Sequence, residues 1–146
     1  MANTNRVNSS PLSAREGKVY IDGVLVADSC KFLVVFKPDV WSGKQLSEHG
    51  TNRRWIGYDI EVQISQWKTT RMYRTMIDKY LKEGITPEMT IQGIQTDKIS
   101  DFYLTNKSEK VTCTGCVPTG DINLIDMDTD GDVVKEEITF GAKKIA

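Results

Sequence analysis

Residues 53–84 write one amphipathic β-strand straight into one amphipathic helix, which restricts the chain to folds that pack a helix against a half-buried sheet. Ile56, Tyr58, Ile60, Val62 and Ile64 take alternate positions, and Gly57, Asp59, Glu61, Gln63 and Ser65 fill the positions between them. Successive strand residues point to opposite faces, so the spacing predicts one dry face and one wet face. Met72, Tyr73, Met76, Ile77, Tyr80 and Leu81 then recur at helical spacing and predict a helix over residues 70–83. Thr69 or Thr70 can cap its start, and Gly84 stands where a helix normally stops. The apolar residues of this strand and helix are the expected core.

At 146 residues the chain has room for one domain with one core. Lys and Arg number 19 against 20 Asp and Glu, a formal charge of −1, so nothing argues for a sequence-independent grip on nucleic-acid phosphates or on an anionic membrane. The longest apolar runs, 32–36 and 24–27, fall far short of a bilayer span, and the N-terminus has no apolar signal region. A soluble, unexported protein is expected. Three cysteines cannot make a paired disulfide framework in a domain that already has a core, which predicts free thiols in a reducing cytoplasm.

Residues 1–16 are polar and lack large apolar side chains, so they cannot offset the entropy of ordering and read as a mobile arm before a single domain, 17–146. Asp22-Gly23 between residues 19–21 and 24–27 predicts a two-residue hairpin turn. Residues 30–37 are β-rich and almost continuously apolar, which suggests cover on both faces or a bulge, and Pro38 is expected to end them. Residues 39–52 then form a connection at the upper length for a structureless loop, a length usually tied to function or disorder. After the helix, residues 89–96 predict a strand with a bulge or close approach at Gly93. Residues 97–110 read as loop with a short strand, and 111–117, 122–127 and 133–140 as strands. Six to eight short strands with one helix describe a mainly β (α+β) domain, an antiparallel sandwich or partly open barrel flanked by that helix.

Few patterns carry chemistry. Asp126, Asp128, Asp130, Gly131 and Glu137 match the spacing of an EF-hand loop, whose oxygen ligands and sharp glycine turn suit calcium. Pro118 and Gly120 occupy the place of the entering helix, so an acidic, solvated turn is the competing reading. Cys113 and Cys116 form a C-x-x-C without the helix N-terminus that would stabilise a thiolate, and zinc would have to recruit Cys30 and His49 from distant segments. His49, the single histidine, sits in a polar loop beside Glu48, and Asp59 and Glu61 lie on one strand face without a convergent base. No catalytic constellation and no cofactor are expected. Trp55 and Trp67 read as core packing, and Trp41 as a candidate interface anchor.

The order of parts resembles the tail tube proteins of contractile-tailed phages and phage-like particles. The resemblance rests on the polar arm, the opening hairpin at residues 17–23, the long loop ending in Gly50 and Arg53-Arg54, the strand running into the helix, the strand start at Glu109-Lys110-Val111, and the closing strand 136–140 after an acidic turn. Residues 97–107 and 113–116 depart from the family pattern. The resemblance implies a structural subunit, not an enzyme, that closes into a six-membered ring. Such rings would stack into a hollow tube for DNA or cargo. Implied partners are tail sheath subunits, baseplate and tail-terminator proteins, a tape-measure protein and transient DNA, with no membrane. The implied location is a virion tail assembled in the bacterial cytoplasm. On this reading residues 39–52 make the inter-ring contact through Val40, Trp41, Lys44, Leu46, Glu48 and His49, an aromatic anchor with a polar rim. The wet face of the long strand, Asp59, Glu61, Gln63 and Ser65, lines the channel. The alternative reading is a calcium-binding β-module built on Asp126, Asp128, Asp130 and Glu137.

Overall fold

The opening hairpin forms as its turn residues require. Strands β1 (Gly17–Ile21) and β2 (Val24–Leu25) pair through Ile21 and Val24, and Asp22 and Gly23 take positive φ angles of 51° and 83°. The computed structural model describes residues 11–146. After the hairpin come β3 (Ser29–Gly43), β4 (Asn52–Trp67), helix α1 (Met72–Glu83), β5 (Met89–Gln95), helix α2 (Asp101–Asn106), β6 (Glu109–Pro118), β7 (Lys135–Ala142) and β8 (Lys144–Ile145). All strand pairs are antiparallel, in the order β2-β1-β5-β6-β7-β4-β3, with β8 added to β6.

The sheet curls until its two halves face each other. Four strand spacings separate β5 from β3 in that order, about 19 Å in a flat sheet. Yet Gly93 of β5 lies so close beneath the Phe32 ring of β3 that a Cβ there would collide with it. Strand β6 makes the bend, pairing with β5 over most of its length and with β7 only through Val117 and Pro118. The core fills the space between the halves: Val19, Ile21, Met89 and Ile91 from one, Ile60, Val62, Ile64, Ile138 and Phe140 from the other. This is the expected β-rich sandwich or partly open barrel, and Gly93 marks the expected close approach.

Helix α1 ends as its sequence predicts, with Gly84 left-handed at φ 70° and its N–H donating to the Tyr80 carbonyl at 2.8 Å. Its start differs. Arg71 occupies the cap position without a side-chain cap bond, because the Thr69 hydroxyl instead donates to the Asp28 carboxylate. Only Tyr73 of the helix is fully buried, 6.4 Å from Phe140 between ring centroids, while Tyr80 and Leu81 are exposed.

Several other expectations are corrected. Strand β3 does not stop at Pro38 but continues to Gly43, because it is an edge strand, where proline is tolerated. Residues 101–106 form a second helix, for which Ser100 accepts a capping bond from the Tyr103 N–H at 3.4 Å. Residues 122–127 alternate like a strand but pair with nothing, and only Ile122 among them packs against the core. Of the expected mobile arm, residues 1–10 lie outside the described residues. Residues 11–16 are tied to the end of β5 by Ser13 N–H to the Asp97 carboxylate at 3.0 Å and by Gln95 Nε2 to the Ser13 carbonyl at 3.1 Å.

Candidate assembly surface

Strands β3 and β4 pair through fourteen registered positions, but β7 covers β4 only from Ile60 to Trp67. The other half of β4, with its partner, leaves the domain as a two-stranded ribbon. The expected long loop is therefore mostly strand: residues 39–43 and 52 belong to the ladder, and only residues 44–51 form the tip. Val40 and Trp41 lie on the ribbon, whereas Lys44, Leu46, Glu48 and His49 lie in the exposed tip. Glu48 is a staple there: its carboxylate accepts from the Gln45 N–H at 3.0 Å and from Asn52 Nδ2 at 2.7 Å.

A bulge decides which ribbon side chains share a face. The register steps from Asp39–Gly57 to Val40–Trp55, which leaves Ile56 as the extra residue. Trp55 is thereby turned to the side of Phe36, 5.6 Å away between ring centroids, and Phe36 stacks on Tyr58 at 5.5 Å. Phe36, Val40, Trp55 and Tyr58 are all partly or largely open to solvent, with Trp55 65% exposed. This aromatic strip continues the core side of the sheet past the point where β7 covers β4. It corrects the expected burial of Ile56, Tyr58 and Trp55. Trp67, also expected in the core, is half exposed at the other end of β4.

The opposite face of β4 gathers the four residues expected on the wet side. Asp59, Glu61, Gln63 and Ser65 stand across from Lys37, Val35, Leu33 and Lys31 of β3. Lys37 Nζ lies 2.5 Å from the Glu61 carboxylate, and Gln63 Nε2 donates to it at 3.4 Å. The hydrogen bond with Lys37 holds the Glu61 carboxyl below its ordinary range and raises the Lys37 ammonium. The face is thus a mixed, nearly balanced surface rather than the purely acidic and neutral one its β4 residues suggest.

The remaining motifs do not build sites. Among the described residues, no three His, Cys, Asp or Glu side chains converge on a metal position. Glu137 pairs with Ser65 inside the sheet, and Asp128 is used locally, accepting from the Asp130 N–H at 3.0 Å, so the calcium ligand set Asp126, Asp128, Asp130 and Glu137 does not assemble. Cys113 and Cys116 are buried free thiols, and Cys30 is an exposed one. Three residues apart on a regular strand the two buried thiols would face opposite ways. Gly115, at φ 66°, kinks β6 so that both enter the core. Burial pushes both thiols up, Cys116 to about 11, which disfavours thiolate chemistry. His49 stands exposed in the tip.

Comparison with solved structures finds chains of similar fold. The chain is similar to a chain in the sheath–tube complex of an extracellular contractile injection system in the extended state, at 11% identity and a TM-score of 0.68, covering 100% of this chain and 97% of that one. It is similar to a chain of the sheath/tube terminator structure of such a system, at 11% identity and a TM-score of 0.70, covering 93% and 95%. A chain of the anti-feeding prophage tube-terminating cap matches at 12% identity and a TM-score of 0.70, covering 100% and 93%. At such identities these likenesses establish the fold. Comparison with curated protein sequences finds no match. A family model described as phage tail tube protein matches residues 6–144, nearly the whole chain, so the chain belongs to the phage tail tube protein family, a family of structural proteins rather than enzymes.

Proposed function

We propose that this chain is the repeating subunit of a contractile-type tail tube, with six copies closing into a ring and rings stacking into a hollow tube that passes DNA or cargo. The observation that carries the reading is the pair of sheet edges left unpaired among the described residues, together with the projecting ribbon. Strands β2 and β3 terminate the sheet, and β3 offers an edge fifteen residues long. Unpaired edges template association, and pairing them around a closed ring removes the exposed groups without runaway aggregation. The ribbon, with Val40 and Trp41 on its strands and Lys44, Leu46, Glu48 and His49 at its tip, reaches beyond the ring and contacts the next one. Its aromatic strip supplies apolar area and its tip a polar rim. The face bearing Asp59, Glu61, Gln63 and Ser65 lines the channel, where Lys37 balances Glu61 and leaves no strong field to hold DNA phosphates.

The similar chains come from structures described as a sheath–tube complex and tube terminators, which supports sheath subunits and terminator proteins as partners here too. A baseplate at one end, a tape-measure protein in the lumen during assembly, and assembly in the bacterial cytoplasm complete the reading. Electron microscopy of the assembled protein tests it. Sixfold rings stacked into tubes, with β4's polar face inside, are the expected result. A strictly monomeric protein at every concentration, with no incorporation into particles, would reject the proposal.

A further inference from the structure

The Asn52 end of β4 is basic, and an acidic segment lies beside its Trp67 end, where Lys68 and Lys135 also stand. At the Asn52 end, the ribbon tip and its flanks hold Lys44, Arg53 and Arg54 against one carboxylate, Glu48, which the tip turn already uses. At the Trp67 end lies the segment 119–134, with Asp121, Asp126, Asp128, Asp130 and Asp132 and no Lys or Arg. That segment is held in place by Lys68, which follows β4: its N–H donates to the Val134 carbonyl at 3.0 Å and its Nζ to the Leu124 carbonyl at 2.7 Å. Sixteen strand residues at about 3.4 Å each put roughly 50 Å between the two ends. Neither Arg53 and Arg54 nor the four aspartates from 126 to 132 enter an ion pair among the described residues.

Each end also exposes apolar side chains that the described residues leave uncovered. Leu46 is 98% exposed at the tip, and Met127 is 85% exposed in the acidic segment. A head-to-tail stack superimposes one end of a molecule on the other end of its neighbour, so opposite charge at the two ends of one strand is what such a contact needs.

We infer that the acidic segment 119–134 is the receptor for the basic ribbon tip of a second copy of this chain in the adjacent ring. Lys44, Arg53 and Arg54 of one copy meet Asp126, Asp128, Asp130 and Asp132 of the next, and Leu46 packs with Met127. This deepens the stacking reading above and rests on it. It also gives the D-x-D-x-D-G string a role that requires no metal.

Carbodiimide coupling joins a lysine to a carboxylate only where the two touch, and the strand between Lys44 and the acidic segment is too long for coupling within one chain. In tubes grown from purified protein or isolated from particles, mass spectrometry should find Lys44 joined to an aspartate of 126–132. Arg53→Glu with Arg54→Glu should shorten tubes at least tenfold, and adding Asp128→Lys with Asp130→Lys should restore their length. Unchanged monomer melting curves confirm that the variants fold. Raising salt from 0.1 to 1 M, which cuts the screening length from about 10 to about 3 Å, should also shorten tubes. Tubes in which Lys44 couples only to other sites, or tubes of normal length from the Asp128→Lys, Asp130→Lys variant alone, would overturn the inference. So would millimolar calcium that raises the melting temperature of the wild-type chain but not of Asp128→Ala. Replacing residues 44–51 by a short Gly-Ser linker separates the two ideas. If that variant makes no tubes while reversal of the aspartates is harmless, stacking by the ribbon stands and only its receptor is wrong. Long tubes from the linker variant would remove the stacking reading itself.

Discussion

One strand contains two environments. From Ile60 to Trp67, β4 lies between β3 and β7, and Ile60, Val62 and Ile64 are buried in the core beside Phe140 and Ile138 of β7. From Asn52 to Asp59 the same strand pairs with β3 alone among the described strands, and Trp55, Ile56 and Tyr58 are each more than half exposed. Both halves are apolar at intervals, but among the described residues only the first has a strand partner on both sides. Apolar periodicity marks a face that will be covered and leaves open which molecule covers it. In the inner half the cover is the chain's own sheet; in the ribbon it is, on the reading proposed here, another subunit.

The largest effect should come from cutting into the inner half. Phe140→Ala removes a fully buried ring between β4 and α1 and should cost about 3–5 kcal/mol in denaturant unfolding of the monomer. Gly93→Ala should cost about 1–3 kcal/mol, since its methyl group meets the Phe32 ring across the curl, and Phe32→Leu in the same chain should recover part of the loss. The buried thiols provide a subtler check of the same core. Their folded pKa values lie above the unfolded value of 9.0, so the folded chain binds more protons at alkaline pH. Their contribution is therefore complete below pH 9 and is lost as pH rises toward 11, and replacing Cys116 by Ala should flatten the fall in melting temperature over that window. Smallest of all for the monomer should be Trp55→Ala in the ribbon, within about 1 kcal/mol of wild type, although tube length should drop sharply. A Trp55→Ala monomer as unstable as Phe140→Ala would erase the distinction between the two halves.

Much of the fold is legible from local signals. The Asp22-Gly23 turn, the Gly84 stop, the close approach at Gly93 and the strand–helix unit at residues 53–84 each follow from the chemistry of a few adjacent residues. Helix α2 carried a readable signal as well, Ser100 before Asp101, but six residues are too few to show helical periodicity. The grouping of Asp59, Glu61, Gln63 and Ser65 on one face is equally local, because a strand alternates. What lay across from them was not, and Lys37 changes the charge of that face from another strand.

The amino-acid sequence by itself determined the β-rich class, the turns, the helix stop and the polar character of one face of β4, since all of these depend on backbone preferences and side chains within a few positions of each other. Only the tertiary structure decided that β3 runs on past Pro38, that the bulge at Ile56 turns Trp55 toward Phe36, that Gly115 sends both thiols inward, and that the basic and acidic ends of β4 point in opposite directions. Each of these depends on register between strands far apart in the chain. A one-residue slip in register reverses every side chain beyond it, and nothing in the local spacing records that slip.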